Sequence, residues 1–560
     1  LTTSAKFAVV AISPLTGRFC DALSSSRFAL AGKRTGCDAI VVTGRAAGPS
    51  VVLVDGLGAG DDVRVEIVPA AEWQDLSASE AETRVRERYG ADWQVAAIGP
   101  AGERLIPFAT ISHDGRHAGR GGLGAVLGSK HVKALAVRGD RRAPLADPAR
   151  ATALARTLSE RSFGPATEKY RELGTVANLL VFNRLDALPT RNFQAGRFEG
   201  VEALSPDDLG PARRLAKNSC ASCTIGCEHI YALGKSKATA GVRMEYESLF
   251  ALGSLCGVND PDAVLRAAAL CDHHGLDTIT TGGTIAFLME CTERGWTDAR
   301  LPGSASTLRF GDPAALVEAV AALAGRRGEL GALLALGSRR AAEQIGGEAP
   351  AIAPHVKGLE LPGYHPGRLP AMALGLAVGT RGADHNRSGA YEADFSGRLG
   401  LDPDPAEVAR AAVATEDRAA LLDALILCKF LRGALLDLHA EAAAMLQAVT
   451  GWDVTVDELH TVARRIVNAR KCLNVREGWT RAEDTLPARL LEPAGPTARP
   501  PLTRDRLDAQ IAAYYHERRW TAEGLVPASL RADFGLDGPA FGSLHRDELT
   551  TEHVQIGPAS

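Results

Sequence analysis

Three cysteines within eight residues, Cys220, Cys223 and Cys227 in the run Cys-Ala-Ser-Cys-Thr-Ile-Gly-Cys, limit what this chain can fold around. Thiolates this close in sequence can wrap one inorganic group. C-x2-C-x3-C spacing without a second local pair suits a cubane iron–sulfur cluster better than structural zinc, which closes with two paired ligand sets. A fourth ligand must come from elsewhere, and Cys428 is the distant candidate. Cys20, Cys37, Cys256, Cys271, Cys291 and Cys472 stand alone and read as small apolar core residues. Ten cysteines, three of them clustered, fit a metal site in a reducing cytoplasm and not a disulfide scaffold.

A chain of 560 residues exceeds what one core can serve. Hydrophobic residues at 46% and charged residues at 23% are globular proportions. The net charge of −4, with no basic stripe, points away from nucleic acid. No apolar stretch approaches the roughly 20 residues that span a bilayer, so no membrane partner is expected. Up to about residue 140, short β-rich runs alternate with turns: 7–12, 39–43, 51–54, 63–68, 95–98, 106–111 and 134–137, with one helix at 79–89. From Asp147 onward helical periodicity takes over, at 147–160, 262–274, 313–324, 406–421 and 456–469. Turn-rich breaks fall at 141–148, 297–313 and 491–502, and the piece after 537 reads as a surface tail. The expectation is an α+β protein: a β-sandwich-like base domain over 1–145, then mainly helical domains over 146–355 and 356–560.

Two short motifs share one shape, Asp272-His-His-Gly-Leu-Asp277 and Asp423-Ala-Leu-Ile-Leu-Cys428. Each places an acid at a helix end, five residues before a residue that can ligate or cap. A helix-end carboxylate followed by a C-cap accounts equally well for either one alone. In the company of the cysteine run they say more. The ordered series 118–130 (Ala-Gly-Arg-Gly-Gly-Leu-Gly-Ala-Val-Leu-Gly-Ser-Lys), Cys220 to Cys227, Glu245-Tyr-Glu247-Ser, Cys271 to Gly283 and Arg381-Gly-Ala-Asp-His385 resembles the aldehyde ferredoxin oxidoreductase family over nearly the whole chain.

The resemblance implies a tungsten, or molybdenum, bis-pterin cofactor with magnesium bridging the pterin phosphates, and one 4Fe-4S cluster held by Cys220, Cys223, Cys227 and Cys428. It implies pterin contacts from Asp272, Asp277, Asp423 and Leu427, and phosphate-side cations at Lys6, Arg116 and Arg387. It implies catalytic roles for Glu247 and His385, a small aldehyde as substrate, and ferredoxin or a partner iron–sulfur subunit as electron acceptor. Oxidising an aldehyde takes oxygen from water, so a group must accept the water's proton and another must polarise the carbonyl. Several positions depart from the family pattern. Lys6 stands for an arginine, Leu23 for an asparagine and Ile426 for a glycine, so a different local turn is expected at 426. Arg266 and Glu318 replace a glutamate and a histidine that bind iron between subunits, so any homodimer would lack that iron. An opening β-rich segment is expected to be missing, leaving the base domain incomplete. Two other readings stand beside the aldehyde oxidase: a branch that reduces activated acids or thioesters, as the benzoyl-CoA reductase subunit does, and a pterin-free electron-transfer or scaffold subunit.

Overall fold

The computed structural model describes residues 1–560 except 26, 59–61, 206–208, 211–212, 235–240, 298–307, 493–499, 539–540 and 542–560. Most of the breaks expected at 297–313 and 491–502, and of the tail after 537, lies outside the described residues.

The amino-terminal strands are β1 (Lys6–Ile12), β2 (Phe19–Ser25), β3 (Ser50–Gly56), β4 (Arg64–Pro69), β5 (Gln94–Ile98), β6 (Ile111–His113), β7 (Arg116–Ala118) and β8 (Val132–Gly139). The last six form one sheet in the order β4-β3-β8-β5-β6-β7. Only β3 and β8 run parallel. β3 is buried along its whole length, as its unbroken apolar run requires of a strand covered on both faces. Val51, Leu53, Val95 and Ala97 pack one face against Ala78, Ala81 and Val85 of the helix Ala78–Tyr89. Val52, Val54, Ala96 and Ile98 pack the other face beneath the β1–β2 hairpin and the helices Arg27–Arg34 and Leu123–Ser129.

The base is therefore one sheet covered by a hairpin and helices, and the expected sandwich of two sheets is corrected. Two expected strands are also corrected. Residues 39–43 form no strand, and Val41 is 75% exposed. Residues 106–110 spend their backbone bonds elsewhere: Thr110 N–H donates to Gly275 O and Asp277 N–H to Phe108 O. Their apolar side chains thus serve the junction with the helical region. β2, unforeseen, pairs in register with β1 and buries Asp21 and Ser24, polar residues that hid its strand character.

The five expected helices form, as Pro148–Ser162, Pro261–His274, Pro313–Gly325, Pro405–Ala424 and Val456–Arg476. Asp147, Asp260, Asp312, Asp404 and Thr455 cap them through their side chains, and the first four carry proline in the first turn. A side-chain acceptor satisfies orphan N–H groups, and proline there loses no hydrogen bond. The helices Thr278–Glu293 and Pro370–Val378 are buried almost all round. Neither has a polar face to turn to water, so both run through the main core. A three-stranded sheet, β9 (Arg214–Asn218), β10 (Glu228–Ala232) and β11 (Gly241–Met244), runs β11-β10-β9. Among the described residues no helix is long and apolar enough to cross a membrane.

Candidate active site

The cysteine run is the loop between β9 and β10, its ends tied by the Asn218–Glu228 pair. Cys220 and Cys227 line one cavity together with Cys428, which follows the helix Pro405–Ala424 after a turn. Cys223 does not line it, but it lies within electrostatic reach of both Cys220 and Cys428. Burial, with Glu245 close by, pushes the Cys227 thiol well above its ordinary value. A metal that binds here displaces those protons. No three of the four sulfurs lie within 4.8 Å of one another; among the described residues only Glu82, His113 and Asp114 meet that test. Tetrahedral zinc at 2.3 Å from each sulfur needs sulfurs about 3.8 Å apart. As placed, no three of the four thiols could share one tetrahedral ion, and the C-x2-C-x3-C run with a distant fourth cysteine suits a polynuclear cluster better.

The two acid motifs fold alike. Gly275 sits at φ +74 and Ile426 at φ +59. In each, the residue after the left-handed position donates back to the carbonyl preceding the acid, Leu276 to Cys271 and Leu427 to Leu422, both at 2.8 Å. The different turn expected at Ile426 is thus corrected: isoleucine adopts the glycine conformation, at a cost of about 1–2 kcal/mol for an L-residue. The motifs then diverge. Asp277 caps the helix Thr278–Glu293, accepting from Ile279 and Thr280 N–H, and its Oδ2 lies 3.6 Å from Arg120 Nε. Asp272 is partly exposed, with Oδ1 3.3 Å from His117 Nε2. Neither lines the cavity. Asp423 and Leu427 do. Asp423 is held by Arg387 Nη1 at 2.6 Å and Lys429 Nζ at 3.1 Å.

The cavity, about 710 Å³, lies between β2, β7 and the Gly119–Arg120 turn of the base and the helical segments above. Lys6, Arg116, Arg120, Arg381 and Arg387 put cations into its walls. Arg116 pairs with buried Glu228. Arg387 also binds Asp21, and despite burial Arg387 and Arg470 hold that carboxyl well below the usual range. Glu247 enters from the first turn of the helix Tyr246–Leu252, and its Oε2 accepts Gly363 N–H at 3.0 Å. His385 opens the short helix His385–Ser388, capped by Asp384. Its Nε2 lies 3.5 Å from Glu247 Oε1.

Burial dominates both groups. Glu247 is pushed up to about 8, and His385 is pushed down to about 3, although Asp384 pulls the other way. The Tyr364 ring sits 5.1 Å from His385 and stacks on Tyr391, and Phe182 packs on Tyr364. Aromatic rings thus wall the pair on one side, while the other side faces the cavity.

The model of the N-terminal domain of aldehyde ferredoxin oxidoreductase matches residues 1–139, and that of its domains 2 and 3 matches residues 154–536. The chain belongs to the aldehyde ferredoxin oxidoreductase family. The tungsten-containing aldehyde ferredoxin oxidoreductase of Thermococcus kodakarensis is 36% identical over 95% of this chain and 87% of its own length. That of Pyrococcus furiosus is 34% identical with the same coverage. The WOR-like subunit of an aliphatic sulfonate oxidoreductase from Pyrococcus furiosus is 26% identical, covering 95% of this chain and 85% of itself. The solved active-site complex BamBC of benzoyl coenzyme A reductase shares the fold, with a TM-score of 0.78 at 21% identity over 96% of this chain and 86% of that one. The sequence leads to the expectation that an opening segment of the base domain is missing; residues 1–139 are matched by the model of the family's N-terminal domain.

The walls fit an anionic family cofactor. Arg120 Nε, Arg381 Nε, His385 Nδ1 and Glu247 Oε1 are buried without a hydrogen-bond partner, and buried polar atoms of this kind ordinarily find one. Arg120, Arg381, Asp384, Lys429, Asp21 and Arg243, which also lines the cavity, were not singled out from the sequence as individual residues. Arg120, Arg381 and Asp384 stand inside motifs that were quoted, so that signal existed. Arg243 and Asp21 lie in ordinary strand sequence and carried none.

Proposed function

We propose that this protein oxidises aldehydes to carboxylic acids at a tungsten bis-pterin centre and passes the electrons through a 4Fe-4S cluster to ferredoxin or a partner iron–sulfur subunit in the cytoplasm. The observation that carries the reading is Glu247 with His385, 3.5 Å apart in an aromatic-walled cavity that also holds three of the four candidate cluster cysteines. Cys220, Cys223, Cys227 and Cys428 would hold the cluster. Lys6, Arg116, Arg120, Arg381 and Arg387 would neutralise the pterin phosphates, Asp423 and Leu427 would face the pterin rings, and Asp272 and Asp277 would act from one layer back, through His117 and Arg120 of the cavity wall. When bound, the tungsten centre supplies a two-electron acceptor and the cluster an exit for single electrons.

The reaction balances as RCHO + H2O → RCOOH + 2H⁺ + 2e⁻. Glu247, once ionised, takes the proton of the water that supplies the oxygen. Neutral His385 turns an N–H to the carbonyl oxygen, donating a hydrogen bond without giving up its proton, since burial disfavours the imidazolium. Tyr364, Tyr391 and Phe182 lower the polarity on one side of the pair, which strengthens both interactions. A homodimer, if formed, would lack the family's iron between subunits, because Arg266, a permanent cation, replaces the ligating glutamate and Glu318 replaces the ligating histidine.

Anaerobically purified protein is assayed for tungsten, iron and acid-released pterin fluorescence, and for viologen reduction with aldehydes against reduced-viologen consumption with thioesters. Tungsten, pterin and aldehyde-dependent reduction together bear the proposal out. Iron without tungsten or pterin would refute it, and turnover of thioesters alone would favour the reductase branch.

A further inference from the structure

The cluster cysteines come from two segments two hundred positions apart, and residues 2 and 3 bind both. Thr3 N–H donates to the carbonyl of Ser222, between Cys220 and Cys223, at 3.2 Å, and Cys428 N–H donates to Thr3 O at 3.2 Å. Thr2 Oγ1 accepts from Thr224 N–H at 3.2 Å and shares a hydrogen bond with Thr224 Oγ1 at 2.9 Å. Thr224 lies between Cys223 and Cys227, and its hydroxyl continues to Ser162 Oγ at 2.6 Å. Thr2 and Thr3 are 5% and 4% exposed.

Thr3 holds φ +57, a region that costs a β-branched residue free energy and persists only where its surroundings hold it. The payoff is geometric: in that conformation its N–H and C=O engage the two cysteine segments. Three residues on, β1 begins at Lys6, which lines the cofactor side of the cavity.

We propose that Thr2 and Thr3 are positioning residues for the iron–sulfur cluster: a backbone and hydroxyl staple that holds the Cys220–Cys227 loop in register with Cys428. This rests on the reading that those four cysteines hold a cluster. The main-chain groups of Thr3 perform the stapling and its side chain does not, whereas Thr2 acts through its hydroxyl.

Three variants of the holoenzyme separate these roles. Thr3→Pro removes the N–H and forces φ near −65°. Thr3→Gly keeps both backbone bonds and suits the positive φ. Thr2→Val removes the hydroxyl and keeps the shape. The readouts are the rate of iron release to a chelator, the cluster midpoint potential, and pterin content as a check on the folded base. Thr3→Pro is expected to release iron about tenfold faster with a shifted potential, on the scale of outer-shell changes at metal sites. Thr2→Val should release it severalfold faster, and Thr3→Gly should match the wild type. Wild-type rates in Thr2→Val and Thr3→Pro would overturn the proposal, as would rapid loss in Thr3→Gly. If Thr3→Pro does not fold, Thr2→Val and Thr3→Gly decide the matter alone. A wild type that holds no iron–sulfur cluster instead refutes the cluster reading itself.

Discussion

Replacing Glu247 by glutamine tests the site through both rate and stability. The carboxyl keeps its proton up to about 8 because burial disfavours the anion, with Asp384 and Asp277 adding to the effect against the Gly363 N–H and Arg120. A base with that affinity works only above it. Wild-type kcat/KM is therefore expected to rise tenfold per pH unit and level off near pH 8, standing at about one-hundredth of the plateau at pH 6. Glutamine cannot take the proton. On the plateau E247Q should lose about 10²–10⁴ in kcat/KM, or roughly 3–5 kcal/mol of transition-state stabilisation, and what remains should no longer rise with pH.

Stability moves the other way. In the unfolded chain this carboxyl ionises near 4.5, and in the folded protein near 8. Between those values the unfolded state binds fewer protons, so wild-type stability falls as pH rises from 4.5 and the full penalty is present above 8. The gap corresponds to about 5 kcal/mol. The side chain keeps 18% exposure toward the cavity, and solvent there reduces the figure to a few kcal/mol. E247Q protein prepared without cofactor should therefore melt like wild type at pH 5 and higher than wild type at pH 9. A variant within threefold of wild-type kcat/KM at pH 8, or one whose melting advantage does not grow with pH, would refute the reasoning.

Arg387→Met leaves the carboxyls of Asp21 and Asp423 buried with one cation each, Arg470 and Lys429. Urea unfolding at pH 7 should show a loss of about 3 kcal/mol. Asp21 ionises in the folded state well below its ordinary 3.8, so this stabilisation is present above that pH and lost as pH falls; the gap between variant and wild type should narrow below about pH 4. Gly122 sits at φ +77, and a Cβ there would lie 1.8 Å from Pro107 O, whereas one on Gly119 would meet nothing within 4 Å. Gly122→Ala should cost about 3 kcal/mol or more in the same assay, and Gly119→Ala should stay within about 0.5 kcal/mol. Cys428→Ser should lower iron per chain and bleach the visible cluster absorption, while pterin content stays at the wild-type level.

The candidate site was legible in the sequence where chemistry depends on residue type at fixed local spacing. The cysteine loop is one such case, because a hairpin of that length can present three thiols to one group. The capped helices are another: an acid before proline at Asp260, Asp312 and Asp404 satisfies orphan N–H groups whatever lies beyond. Residues 39–43 misled because β propensity describes a strand only when a partner strand is beside it, and none is there. Ile426 misled because a residue's conformational preference is a local cost of a kilocalorie or two, and the surrounding turn overrides it.

What the sequence determined by itself was the class of cofactor and the identity of the groups able to serve it, since thiolates, carboxylates and guanidiniums carry their chemistry wherever they stand. Tertiary structure alone decided which of them share a cavity. It brought Glu247 beside His385, set Arg387 between Asp21 and Asp423, and laid Thr3 across the two cysteine segments. Proton affinity and hydrogen-bond partnership depend on burial and on neighbours hundreds of residues away. No local pattern encodes those, and packing of the whole chain creates them.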